Sequence, residues 1–373
     1  MSTNTTTTLK VPGCEESSVA FVQHVGWLRH DHGEEVVHLL RQGHFEAAEQ
    51  AFFWLYLRPE DTFIDCGAHI GLFSILASQA TRGEVRIIAV EANEHTSQHL
   101  AFNLNSNGVT KATIVKAAVW SSLGEINFFE GVNGDAAYDH IVFDNGSAGL
   151  AVSTTTLNKL VADSGGTTVA LVKIDVEGAE PEAILGGKDA IVAGMLPVLM
   201  VEFTENNLRS RGLDTSQLYK QLEELGYTLC EFHPERLQLE PFRSDGPIWY
   251  KNLFACLDLH QVNRRLETAS DANRKIAVDI LARAAACSPF KALEDLENFK
   301  QLAEQSENFR QWAERSEALL RVEREDAEKL RQWAERSDAA LAAERETSSQ
   351  LQEALNNRRK LFLRVISRKL SND

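Results

Sequence analysis

The chain lacks the short signatures by which many enzymes are recognised. None of its 22 glycines falls in a GxGxxG pattern, which excludes the glycine cradle that holds a pyrophosphate at a helix N-terminus. Its five cysteines, Cys14, Cys66, Cys230, Cys256 and Cys287, are odd in number, scattered and never in CxxC spacing. That pattern argues against a disulfide framework or a zinc site and fits a reducing cytoplasm. No run of about 18 apolar residues occurs, and the opening segment MSTNTTTTLK has no apolar core of a secretion signal. The expectation is a protein that is not integral to a membrane. Positive charge is also scarce: 38 Lys and Arg stand against 54 Asp and Glu, a net of -16. A polyanion would be repelled, so nucleic acid is not expected as a substrate. Beyond Pro289, glycine and proline vanish altogether.

What is present begins at Phe63. The segment FIDCGAHIG is an apolar strand that stops on Asp65, turns through Gly67 and Gly71, and runs into the helical pattern Leu72–Gln79. Twenty residues past Gly71, a second apolar run, Val85–Val90, ends on Glu91. A nucleoside cofactor requires this order, because glycines let the backbone approach it and a carboxylate closing the second strand binds both ribose hydroxyls. With no pyrophosphate loop, the ligand expected is one without phosphates, S-adenosylmethionine.

The chain divides by composition. Residues 1–15 are Thr-rich and poor in apolar side chains, and are expected to be disordered. Residues 16–60 carry apolar residues at helical spacing over Glu35–Leu40 and Phe45–Leu57, which predicts a helical cap. His24, His30, His32, His38 and His44 lie there; they are either a metal site or, lacking a recognised ligand pattern, ordinary surface and core histidines. From 61 to 260 strands alternate with helices, with strands predicted near 62–65, 85–91, 112–119, 126–129, 168–175, 197–203, 228–232 and 253–257. Such alternation builds a mostly parallel, doubly wound α/β sheet with ligands at the carboxyl ends of its strands, here with an antiparallel edge. Residues 261–288 are predicted to be a helical linker.

From 289 to 357 the segment RQWAERSEAL at Arg310 returns as RQWAERSDAA at Arg331, three heptads later, on a seam running from Leu296 to Leu355. An α-helical coiled coil of about 100 Å is predicted, and with it a homo-oligomer; the alternative is a lone charged helix. From Arg358 to Leu370 the charge reverses: basic residues interleave with Leu361, Phe362, Val365 and Ile366. An amphipathic basic helix either contacts an anionic membrane peripherally, docks on an acidic partner, or merely ends the coiled coil.

A second segment carries chemistry. In LVKIDVEGAEPEAILGG, from Leu171 to Gly187, Lys173 and Asp175 share one face of an apolar strand, with Glu177 and Glu180 following. A lysine in a buried strand must be paired, and Asp175 is its partner. The pair either fixes the loop or performs acid–base chemistry beside the cofactor. Glu202, in VLMVEF, ends the next strand at the same rim.

Asp65–Gly71, Glu91 with Asn93, Ala117–Trp120 before Gly124, and above all LVKIDVEGAE followed by LMVEF resemble the FkbM-type family of S-adenosylmethionine-dependent methyltransferases, over residues 61 to 232. The sequence departs from that family's pattern at His69, Ala92 and Asn158. The resemblance implies a class I Rossmann-like methyltransferase fold and O-methylation of a sugar or glycan hydroxyl. It assigns the cofactor to Asp65, Gly67, Ala68, His69, Gly71, Glu91, Asn93 and Ala118 with Val119, and no metal. For proton acceptance it points to Asp175 held by Lys173, with Glu177, Glu202 and His140 as further candidates. Joined to the coiled coil and basic tail, it suggests a cytoplasmic enzyme at the inner face of the membrane, acting on a lipid-linked surface polysaccharide. Two rivals stand beside it: a coiled-coil scaffold with a non-catalytic methyltransferase-like domain, and a Rossmann-type oxidoreductase.

Overall fold

The computed structural model describes residues 9–10, 17–31, 37, 40, 45–129, 140–141, 150–244 and 246–287. The expected coiled coil, the basic tail, the N-terminal stretch to residue 8, and His32, His38 and His44 lie outside the described residues.

The first elements correct the predicted helical cap. Strands β1 (Leu9–Lys10), β2 (Ser17–Val22) and β3 (Gly26–Asp31) form an antiparallel three-stranded sheet. The period is two, not 3.6: Ala20, Val22 and Leu28 are buried while Phe21 and Trp27 face outward. Ala20 stands opposite Leu28, and Gly26, at φ 120°, makes the turn. The hairpin's backbone is held by side-chain amides, since Asn103 accepts from Arg29 N and Asn107 from Trp27 N. The later part of the region is helical as expected, at Val37 and Leu40, the described residues of the stretch Glu35–Leu40, and in α1 at Ala47–Tyr56.

Next come β4 (Thr62–Cys66), α2 (Leu72–Ala80), β5 (Arg86–Glu91), α3 (Glu94–Ser106) and β6 (Ala112–Lys116). Four further strands, β7 (Ala118–Val119), β8 (Gly124–Phe129), β9 (His140–Ile141) and β10 (Leu150–Thr155), make a small sheet in the order β7-β10-β8-β9. The chain continues through α4 (Leu157–Asp163), β11 (Leu171–Ile174), α5 (Glu180–Leu185), α6 (Lys188–Val192), β12 (Val198–Thr204), α7 (Glu205–Arg209) and α8 (Thr215–Glu224). It then forms β13 (Thr228–His233), β14 (Gln238–Pro241), β15 (Tyr250–Cys256), α9 (Leu259–Glu267) and α10 (Asp271–Cys287).

Eight strands form the main sheet, ordered β14-β13-β15-β12-β11-β4-β5-β6. The five from β12 to β6 are parallel; β15, β13 and β14 close one side antiparallel, the edge the sequence predicted. Alternation along each strand supplies two cores, because successive side chains point to opposite faces. Phe63, Ile87, Leu171 and Met200 join the core packed against α1, whereas Ile64, Ile88, Val172 and Leu199 join the core under α4, α5 and α8.

The described part of the predicted linker, residues 261–287, is packed into the domain. Helix α10 packs on α1, with Ala277 and Ile280 buried in the same core as Phe52 and Phe53. Asn273 donates to the carbonyls of Trp54 and Ala80, both at 2.9 Å, and His24 of the hairpin meets Asp279 at 2.6 Å. The apolar positions that suggested a free helix serve as a lid on α1.

Candidate active site

Parallel strands deliver their carboxyl ends to one rim, and a cavity of 240 Å³ opens there. Its walls come from the loop after β4, the end of β5, β7, the loop after β11, Glu202 of β12, Tyr250 at the start of β15, and Phe45 with Glu46 ahead of α1.

The loop after β4 is wired internally. Gly67 N and Ala68 N both donate to Val90 O, at 3.0 and 2.9 Å; His69 N donates to Glu91 Oε2 at 2.8 Å, and Gly71 N to Ala68 O at 2.9 Å. These amides are engaged, so they cannot cradle a phosphate. Glu91 is buried at the end of β5, its other oxygen accepting from Asn93 N at 2.9 Å. A carboxylate oxygen has two lone pairs, and Glu91 still lines the cavity with capacity for a diol. Beside it Ala92, Ala118 and Val119 supply an apolar wall. A nucleoside without phosphates fits this set: a carboxylate for the ribose, an apolar slot for the base, and close backbone at Gly67. A Cβ on Gly67 would stand 1.8 Å from the Asp175 carbonyl oxygen, and its φ of +74° suits glycine alone.

Of the residues assigned to the cofactor from sequence, Gly67, Ala68, His69, Glu91 and Ala118 reach the cavity wall. Asp65, Gly71 and Asn93 do not line it. Asp65 lies beneath the loop, 1% exposed, accepting from Ser74 Oγ at 2.7 Å, and burial pushes its carboxyl up to about 6. Gly71 starts α2 at φ +93°, pressed against Leu100 of α3. Asn93 caps α3, accepting from Thr96 N at 3.0 Å. His69 has φ +51°. His is among the side chains that best tolerate that left-handed region. Asn158 is far from this chemistry: its amide bridges α4 to Asp189 and Ala190 N of α6.

The opposite wall is acidic. Lys173, 4% exposed, projects from β11 on the same face as Asp65, its register partner on β4. Its ammonium lies 2.6 Å from Asp175 Oδ2 and 5.3 Å from the Phe73 ring centroid. Burial opposes that charge, yet Asp175, Asp65 and Glu46 together hold its pKa above the ordinary lysine value. Glu177, at φ 51°, accepts from Asn207 Nδ2 at 2.6 Å. Burial first, then Asp175 and Glu180, raise its carboxyl to about 8. Glu202 is 8% exposed, and burial with Asp175 and Glu177 pushes it well above the carboxylate range. Glu180 does not line the cavity; it folds back to accept from Val176 N and Gly178 N, fixing the turn. His140 sits on β9, paired with Phe129.

Glu46 and Tyr250 also line the cavity and were not anticipated. Glu46 accepts from Asn252 Nδ2 at 2.7 Å, and burial raises its carboxyl to about 8. The sequence offers one faint signal, a charged residue directly ahead of the apolar run of α1; its place at the rim is a product of tertiary packing.

Residues 65–229 match the family model described as the methyltransferase FkbM domain. That match covers 165 of the 373 residues, under half of the chain. No curated protein matches the chain. Among solved structures, the chain is similar to the methyltransferase FkbM of Methylobacillus flagellatus, with 16% identity and a TM-score of 0.36 over 54% of this chain and 44% of that one. It thus spans under half the length of that protein. A precorrin-6y C5,15-methyltransferase from Geobacter metallireducens is 16% identical at TM-score 0.32, covering 57% of this chain and 87% of that one. An S-adenosylmethionine-dependent O-methyltransferase of Thermotoga maritima is 16% identical at TM-score 0.31, covering 56% and 63%.

Proposed function

We propose that the chain methylates a hydroxyl of a sugar or glycan. The observation that carries this reading is that one cavity joins an apolar wall of Ala92, Ala118 and Val119 with the single carboxylate Glu91 to an acidic wall of Asp175, Glu177 and Glu202. S-adenosylmethionine, when bound, supplies a methyl group already activated on a sulfonium, so the accepting oxygen must give up a proton. The acidic wall is the side that receives it, with Asp175 kept in place by Lys173. Glu177 and Glu202 border the same corner and help to position the oxygen. Tyr250 lines the cavity and Trp249 beside it is 61% exposed, and exposed aromatic faces of this kind suit the apolar faces of sugar rings.

The sequence beyond Pro289 extends the proposal. A coiled coil would make a homo-oligomer, and a basic amphipathic helix from Arg358 to Leu370 would hold the enzyme peripherally at the inner face of the cell membrane. That placement suits a lipid-linked surface polysaccharide in the cytoplasm. Among the described residues no helix is long and apolar enough to cross a membrane.

The test is transfer of a labelled methyl group from S-adenosylmethionine to glycans. The native chain should label a hydroxyl, and Asp175→Asn should abolish labelling while calorimetry still detects cofactor binding. Cofactor binding with no transfer to any glycan would favour the scaffold reading.

A further inference from the structure

We propose that Asp175, Glu177 and Glu202 form a site for a divalent cation with a preference for oxygen ligands, such as Mg²⁺ or Mn²⁺, which holds the acceptor hydroxyl. The inference deepens the methyltransferase reading and rests on it for the identity of the acceptor, though not for the ion.

Each of the three residues offers one carboxylate oxygen, and the three oxygens lie within 4.8 Å of one another. A cation bound by carboxylates at about 2.0–2.6 Å needs such spacing, since ligands on one ion stand about 3–5 Å apart. Asp175 and Glu177 lie in the turn after β11 and Glu202 on β12, so the site is closed by the fold and not by one run of acids. Proximity of acids alone would be weak. The independent observation is at Glu202: the residue is 8% exposed, and its Oε2 is buried with no hydrogen-bond partner. Buried carboxylate oxygens are otherwise almost always satisfied, and a bare one facing a polar cavity calls for an ion or water.

The outer contacts support the same assignment. Lys173 takes Asp175 Oδ2 and Asn207 takes Glu177 Oε2, each at 2.6 Å, which orients both carboxylates and leaves their other oxygens for the corner. Ligating carboxylates are held in this way by neighbouring donors in metal sites. Three carboxylates with no thiol or imidazole among them select a hard ion over zinc or copper. A sugar hydroxyl entering past Tyr250 would complete the shell as a neutral oxygen ligand. The acceptor oxygen is thereby fixed with respect to the cofactor wall.

The experiment titrates the full-length protein with Mn²⁺ and follows the free-ion signal by electron paramagnetic resonance, with no cofactor or acceptor present. One tight ion per chain, displaced by excess Mg²⁺, is expected. Glu202→Gln and Glu177→Gln should each weaken that ion at least tenfold with unchanged circular dichroism, while Glu235→Gln, an exposed acid outside the cavity, should not. Absence of a stoichiometric ion, or equal binding by all variants, overturns the proposal. Calorimetry of S-adenosylmethionine on the same samples separates the two readings. Cofactor binding without a Mn²⁺ site removes the cation alone; a Mn²⁺ site sensitive to Glu202→Gln without cofactor binding keeps the cation and removes the methyltransferase reading.

Discussion

The carbonyl oxygen of Asp175 lies directly beneath Gly67, so that the turn after the first parallel strand and the turn after the fourth share one narrow space. Gly67→Ala must push these turns apart and strain a φ of +74°. Together this should cost roughly 2 kcal/mol or more, and calorimetry should show S-adenosylmethionine binding lost. A variant that binds the cofactor like the native chain would show the approach to be unimportant.

Lys173 is the one cation touching Asp175 among the described residues, and it also sits in register with Asp65. Lys173→Met keeps the bulk and removes the charge. Two buried or half-buried carboxyls are then left without it, and a loss of about 3 kcal/mol is expected in urea unfolding. An effect below about 1 kcal/mol would mean that the pair is a minor contributor.

The buried Asp65 makes stability depend on pH in a defined direction. Its carboxyl is raised from 3.8 to about 6 by burial, against the opposing pull of Lys173 and Ser74. A raised folded pKa means that the folded state holds the proton more tightly than the unfolded chain. Its contribution is full below about 3.8 and is lost as pH rises through 6. The native protein should therefore lose about 2 kcal/mol relative to Asp65→Asn between pH 4 and pH 7. Unfolding curves of both proteins at the two pH values measure that gap, and a constant gap contradicts the assignment.

Ile280 tests the role of the last described helix. It is 7% exposed and packs in the core of α1, so Ile280→Ala should cost about 2–5 kcal/mol. A linker residue would change stability by less than about 0.5 kcal/mol. Thermal unfolding distinguishes them.

The proposed membrane contact has its own measurement. Full-length protein should co-sediment with anionic vesicles and a chain ending at Asn357 should not. Equal sedimentation of the two removes the membrane from the proposal without touching the chemistry.

Much of the domain was legible because local rules and global packing agreed there. The helix Leu72–Ala80 follows directly from apolar period and the turn before it, and the Lys173–Asp175 pair follows from the cost of burying a lone ammonium. The hairpin Ser17–Asp31 was misread because strands of six residues leave only two or three inward positions, too few to separate period two from 3.6. Helix α10 could not be told from a connector, since nothing local reveals that Ala277 and Ile280 find Phe52 and Phe53. Nor could Asp65 be told from a cofactor ligand: Ser74, its actual partner, lies one helix turn into α2. Glu46 reaches the site from ahead of a helix whose own position is set by contacts more than 150 residues away.

Phe52 and Phe53 are fully buried, the first 4.2 Å from Phe254 with the rings tilted by 38° and the second edge-on to Phe63 at 5.1 Å. These rings stitch the stretch ahead of the family match to the stretch behind it. A fragment cut to residues 65–229 would leave half of a hydrophobic layer facing water and would lose Glu46 and Tyr250 from the pocket. The compact unit is therefore wider than the segment that matches the family, and the flanks supply part of the cavity's own wall.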